Sequence, residues 1–201
     1  MLLPQSFYAR DALHVARDLI GKLIQHEDIT LRITETEAYR HPGDTANHCR
    51  FGKTKRNAVM FGPPGYAYVY LCYGLHNMLN FVTNQEEEGA AVLIRSCEPV
   101  EGMPTILKRR KNIKGPALLT GPGKVAAASG LTTANTYDCL FEPGGLMVLD
   151  APSVSNVLAG PRVGIEYASE SDRLAPWRFA LADSPWVSRR SQLSVAFKKQ
   201  Y

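Results

Sequence analysis

Four side chains able to do chemistry lie close together early in the chain: Glu35, Glu37, Tyr39 and His48. They belong to the stretch LRITETEAYRHPGDTANH, residues 31 to 48. Its first part carries β-branched Ile33, Thr34 and Thr36 at a period of two, the pattern of a strand. Strict alternation would put Leu31, Ile33, Glu35, Glu37 and Tyr39 on one face. Such a face begins apolar and turns acidic, which a purely core-filling strand does not do, because an unpaired buried carboxylate costs several kcal/mol. His41-Pro42-Gly43-Asp44 breaks the strand, and the following loop carries His48 back toward its end. A carboxylate, a ring and a histidine at the mouth of a strand suit a site that holds a flat ligand and acts on it.

Further along, residues 66 to 74 read YAYVYLCYG. Alternation sets Tyr66, Tyr68 and Tyr70 against Ala67, Val69, Leu71 and Tyr73. Arg95 interrupts the apolar run from Ala90 to Cys97, so it needs a carboxylate, a carbonyl or a ligand. At neighbouring strand ends, Glu37, Tyr39, His48, Tyr70 and Arg95 would give a carboxylate with a cationic partner between aromatic faces. Pattern alone also fits a plainer reading. Tyrosines at spacing two are more often cross-strand packing, and an exposed Glu–Arg pair contributes only about 0–1 kcal/mol.

The elements that would position these residues follow in order. Asp11 caps a predicted helix whose apolar stripe is Ala12, Leu13, Ala16, Leu19 and Ile20, stopped by Gly21. Lys22 to Glu27 reads as a strand that turns into the one described above. Residues 49 to 65 form a long connection rich in Gly, Pro and charge, of the kind that tends to carry function. Leu75 to Thr83 and Ala90 to Cys97 read as further strands, and Pro99 to Lys111 as a helix with a basic end. In TGPGK, Thr120 is a candidate N-cap and Pro122 an early helical position, which would let Lys124 and the backbone N–H groups meet a phosphate. The GxxxxGK[ST] loop is absent. Leu146 to Leu149, Arg162 to Tyr167 and Arg178 to Leu181 read as short strands.

With 201 residues, 45% of them hydrophobic, the chain can bury one sizeable core, and a single domain over 1–201 is the expectation. The net charge of +4 is compatible with a polyanionic partner without demanding one. Basic residues cluster at Lys53, Lys55 and Arg56, at Lys108 to Lys114, and at Arg189, Arg190, Lys198 and Lys199, with acid at Glu86-Glu87-Glu88. The four cysteines show no CxxC spacing, so no metal site is expected, and Cys72 and Cys97 read as buried thiols. The N-terminus lacks a signal-peptide pattern, and no run approaches the roughly 18 apolar residues of a membrane span. A soluble, reduced, cytoplasmic protein without membrane contact is the expectation.

Taken together, ETEAY with His48, RNAVMF (56–61), PGYAYVYLCYG (64–74), MLN (78–80), AVLIRSCEPVEG (91–102), TGPGK (120–124) and SPWVSR (184–189) resemble the alkyladenine, or 3-methyladenine, DNA glycosylase family. The resemblance spans nearly the whole chain in the family's order, and its early start is like that of bacterial members. It implies a mixed α/β (α+β) domain on a curved antiparallel β-sheet with peripheral helices. It also implies a monomer acting on double-stranded DNA with damaged purines, needing neither metal nor organic cofactor. The implied reaction is hydrolysis of the N-glycosidic bond of a damaged purine rotated out of the stack.

Residue by residue, Glu37 matches the general base and Arg95 the arginine that helps hold the water and the carboxylate. Tyr39, His48, Tyr70 and Leu93 match the enclosure of the extruded base, and Asn80 the residue that crowds guanine's exocyclic amine. Tyr73 matches the side chain inserted into the vacated gap. Arg56 and Met60 match loop residues beside the DNA. Glu35 is expected to be structural. No lysine matches a site position, so lyase chemistry is not expected. Two other readings stay open on the sequence: a non-catalytic binder of distorted DNA, and an N-ribohydrolase of free nucleosides.

Overall fold

The computed structural model describes residues 1–194. In chain order the elements are helices α1 (Gln5–Tyr8) and α2 (Ala12–Asp18), strands β1 (Leu23–His26), β2 (Ile29–Tyr39), β3 (Ala67–Cys72), β4 (His76–Thr83) and β5 (Ala90–Glu101), helices α3 (Met103–Arg109) and α4 (Pro122–Ser129), strands β6 (Met147–Leu149) and β7 (Val157–Gly160), helix α5 (Glu170–Leu174) and strand β8 (Arg178–Leu181). All strand pairs are antiparallel, in the order β3-β4-β5-β2-β1-β6, with β8 also on β2 and β7 beyond it. The sheet curls into a half-barrel with helices at its periphery, the expected fold class. Strand β2 is central: β5 covers one edge, while β1 and then β8 cover the other.

Asp11 starts α2 as expected, its side chain accepting from the Leu13 N–H, and Gly21 ends the turn at φ +88. The helix lays Ala12, Val15 and Ala16 on the sheet, and Thr36 of β2 donates its hydroxyl to the Ala16 carbonyl. The core on that side gathers Leu19, Ile20, Ile33, Phe81, Val92, Ile94 and Phe179.

Strict alternation along β2 is broken. Leu31 and Ile33 pack in the same core as Ala38, although Ala38 lies an odd number of steps from both and regular alternation would put it on the opposite face. The pairing of β2 with β5 explains this. Ile33 faces Cys97, Glu35 faces Ser96 and Thr36 faces Ile94, so Thr34 is an extra residue on one strand and Arg95 on the other. Each bulge reverses the sides of its strand, and together they restore the register. Glu35, Glu37 and Tyr39 therefore share a side with one another but not with Leu31 and Ile33.

Five other expectations are corrected. Strand β5 runs on through Pro99 to Glu101: β4 pairs only with Ala90 to Leu93, and residues 119–121 bond that edge only at Arg95 to Cys97, which leaves a place beyond for a residue without an N–H. Helix α3 begins only after Gly102, at φ +78, where a Cβ would meet Ile29 and the Asp28 carbonyl. The N-cap of α4 is Gly121, while the Thr120 hydroxyl turns to the Pro116 carbonyl. Residues 162 to 167 are a loop, not a strand. Cys97 is buried as expected, but Cys72 is only partly so, and the fully buried second thiol is Cys49.

That loop is pinned by a buried ion pair. The Arg162 guanidinium donates to both Asp44 oxygens at 2.6 and 2.8 Å and to the Ala38 carbonyl at 3.0 Å. Its Cζ sits 4.8 Å from the ring centres of both Tyr39 and Trp177. Asp44 thus ties the 41–48 turn to residues near 162. Asp44→Ala strands a buried guanidinium and is expected to lower stability by about 3–5 kcal/mol, read from urea unfolding. A change within about 0.5 kcal/mol would show that the pair does not hold the loop.

Candidate active site

On the other side of the sheet from α2 lies an open cavity of about 500 Å³. Strand β2 contributes Tyr39, β3 and its turn Tyr68, Tyr70, Cys72 and Tyr73, β4 Met78 and Asn80, and β5 Ala91, Leu93 and Arg95. The 46–60 segment and the 163–167 loop close the remaining walls.

Glu37 is fully buried behind this lining. Oε1 accepts from the Val163 N–H at 2.7 Å and lies 3.3 Å from Arg95 Nη1. Oε2 accepts from the Tyr39 hydroxyl at 2.9 Å. All three donors border the cavity, so the carboxylate lies directly behind the lining and not in the apolar interior. Burial and the neighbouring Glu37 raise the Tyr39 pKa, which keeps the phenol a donor.

Glu35 takes the opposite role. It accepts from Arg178 Nη1 at 3.0 Å, Ser188 N at 2.8 Å, Ser188 Oγ at 2.9 Å, Ser96 Oγ at 2.6 Å and Arg95 Nε at 3.3 Å. With five donors it has no capacity left for a substrate, and it anchors Arg95 between the two carboxylates.

The aromatic wall combines an edge contact with a tilted one. The His48 and Tyr70 rings are 4.6 Å apart at 76°, and Tyr68 lies 5.4 Å from Tyr70. His48 keeps solvent access through the cavity, yet protein surrounds the rest of the ring. Burial, then the Arg56 and Arg50 guanidiniums, hold its pKa below the ordinary 6.5. Asn80 is fixed by donating to the Tyr68 and Met78 carbonyls, both at 3.1 Å, and Leu93 lies beside it across the β4–β5 pairing.

Tyr73 does not occupy a strand face. It sits at the tip of the β3–β4 hairpin with φ +50 and is 91% exposed, so strand parity says nothing about its direction. Met60 is only 3% exposed and packs on Cys49, which makes it part of the cavity wall and not of an outer surface. Arg56 starts on the exposed loop but reaches inward, its Cζ 5.9 Å over the Tyr70 ring. Lys124 does not border the cavity, although Pro122 in the same helix turn does.

In the first basic cluster, Lys53 is paired with Glu87 at 2.9 Å, so the acidic 86–88 tip folds against this loop. In the second, Arg109 pairs with Glu27 and Arg110 donates to the Leu118 carbonyl. In the third, Arg190 donates to the Ser184 carbonyl, and Lys198 and Lys199 lie outside the described residues.

Several functional-looking groups escaped the sequence reading: the Val163 N–H, Arg162, Arg178, Ser188, Tyr68 and Arg50. The Val163 amide has no side-chain signature. The SPWVSR motif contained Ser188, but only its fold back onto Glu35 reveals the reason. Among the described residues no group of three His, Cys, Asp or Glu side chains is placed to hold a metal ion, and no helix is long and apolar enough to cross a membrane.

His48 yields a direct check on these electrostatics. Its NMR titration midpoint is expected below 6.5, rising when Arg56→Met removes one adjacent positive charge. As pH falls through that midpoint the ring gains a charge, so the cavity is neutral at this position above it. A midpoint at or above 6.5 would contradict the arrangement.

Comparison with known proteins gives a consistent picture. The profile of the methylpurine-DNA glycosylase (MPG) family matches residues 6–185. A protein of Nitrosococcus oceani, provisionally named a 3-methyladenine DNA glycosylase, is 58% identical over 192 residues, covering 96% of each chain. An Arabidopsis thaliana protein named DNA-3-methyladenine glycosylase is 56% identical over 190 residues, 93% of this chain and 74% of its own. A Methanocella arvoryzae relative, also provisionally named a 3-methyladenine DNA glycosylase, is 46% identical over 94% of this chain and 97% of its own. The curled sheet, the carboxylate behind the cavity and a profile match over most of the sequence lead to one conclusion: the chain belongs to the methylpurine-DNA glycosylase family.

Proposed function

We propose that the protein is a monofunctional DNA glycosylase that extrudes a damaged purine from duplex DNA and hydrolyses its N-glycosidic bond, the opening step of base excision repair. The observation that carries this reading is Glu37, a carboxylate held by three groups that line the cavity: Arg95, Tyr39 and the Val163 amide. A water beside it would lose a proton to the carboxylate while its oxygen attacks C1′ of the deoxyribose. Fixed donors on both carboxylate oxygens aim the group and remove any reorganisation cost at the moment of reaction.

The base would lie between the Tyr39, His48 and Tyr70 rings, with Asn80 and Leu93 at its edge. Extrusion costs a few kcal/mol of stacking, which Tyr73 at the hairpin tip would offset by filling the gap. Phosphates would be met by Lys124 and the first turn of α4. No lysine borders the cavity among the described residues, in keeping with a water nucleophile and no Schiff base. The protein would act as a monomer on chromosomal DNA in the cytoplasm.

Glu37→Gln is expected to slow release of free base from alkylated duplex DNA by about 10²–10⁴-fold while lesion binding is retained. Full residual release by this variant would remove Glu37 from the mechanism. Tyr73→Ala is expected to weaken binding to lesion duplexes by about tenfold or more and to single strands far less; equal losses would argue against insertion. Lesion-duplex affinity is expected to fall with salt, and Lys124→Ala to flatten the log–log slope by about one phosphate contact. An unchanged slope would place Lys124 away from the backbone.

A further inference from the structure

Three of the described residues bordering the cavity are arginines, Arg50, Arg56 and Arg95, and none is acidic. Arg95 is engaged by Glu35 and Glu37. Arg50 stacks between the Phe51 and Tyr167 rings, at 4.7 and 5.3 Å, near the mouth. Arg56 has no carboxylate partner among the described residues. It lies over the Tyr70 ring, and its charge opposes the burial that raises the pKa of the neighbouring Tyr68 phenol. The site is therefore polarised, with a carboxylate behind the lining at Arg95 and an unneutralised guanidinium on the aromatic wall.

We propose that Arg56 is a catalytic residue that stabilises the negative charge developing on a neutral purine as its glycosidic bond breaks. This assignment rests on the glycosylase reading above. When C1′–N9 breaks heterolytically, the electron pair goes to N9. Water supplies the new bond to C1′ and passes its proton to Glu37.

A purine alkylated at N7 already carries a positive charge, so the arriving pair makes it neutral. A neutral purine such as hypoxanthine leaves as an anion unless a proton reaches it. The wall offers poor acids: burial pushes the Tyr68 phenol up to about 12 and the Tyr70 phenol higher, and His48 is held below its ordinary range, hence uncharged. A guanidinium keeps its charge at any working pH and needs to give up no proton. Its attraction to the purine appears as the bond breaks, so it acts on the transition state and not on uniform binding.

The same geometry treats the two lesion classes differently. For a cationic purine, positive charge leaves the base and accumulates on the sugar, near Glu37. Arg56 then opposes the ground state slightly and is not required for departure.

The test measures single-turnover base release at saturating protein, so that differences in DNA affinity drop out. Duplexes carrying hypoxanthine or 7-methylguanine are compared for wild type, Arg56→Met and Arg56→Lys, with thermal unfolding as a check on folding. Arg56→Met is expected to slow hypoxanthine release by about ten- to a hundredfold more than 7-methylguanine release. Arg56→Lys, which keeps the charge, is expected to recover part of that loss. Equal losses on both lesions, or none, would make Arg56 an ordinary DNA contact and overturn the assignment. So would wild-type protein that releases 7-methylguanine and leaves hypoxanthine intact. Wild-type protein that releases neither base would defeat the glycosylase reading itself.

Discussion

A single guanidinium bridging two buried carboxylates sets the terms for the rest of the molecule. Arg95 lies between Glu35 and Glu37, and Arg178 adds a second positive charge against Glu35. Desolvating these four charges is costly, and only a dense set of hydrogen bonds recovers the loss. The donors come from β2, β5, β8, the Val163 amide and the Ser188 turn, which are far apart in the chain. None of these segments can drift without exposing an unmatched charge. The same interactions that fix the sheet's middle therefore also hold the Glu37 carboxylate directly behind the cavity lining.

Around that rigid centre, the parts that would meet DNA are placed on less constrained backbone. Tyr73 stands at a hairpin tip in a left-handed conformation, almost wholly exposed. Arg50 and Arg56 rise from a loop held mainly by Asn57, whose side chain donates to the His48 and Gly52 carbonyls. Lys53 in this loop is drawn to Glu87, so part of its apparent positive charge is already balanced. Net charge counted along the sequence thus overstates what the loop can offer to phosphates.

The sequence made the fold class and the cavity-facing residues readable where local pattern and geometry agree. Asp11 with Gly21 delimits α2 through backbone chemistry that depends on few distant contacts. The Tyr68–Tyr70 stripe alternates as a strand should, and both rings border the cavity. Legibility failed where tertiary contacts decide. Pro99 looked like a helix start but lies in β5 opposite Leu31, beyond the stretch that β4 pairs with. Residues 162 to 167 alternate like a strand, yet the Arg162–Asp44 pair and the Glu37–Val163 bond hold them as a loop. Asp44 looked like a surface turn residue because nothing nearby in sequence announces its guanidinium partner 118 positions away.

The paired bulges at Thr34 and Arg95 also constrain how this framework can change in length. Losing one residue from either strand alone would cancel one reversal and leave the other, turning an apolar stripe outward or a carboxylate inward. Only matched changes on both neighbours would preserve which side each residue meets. Insertions and deletions should therefore concentrate in the connections, with the middle of β2 and β5 keeping a fixed residue count while their side chains diverge.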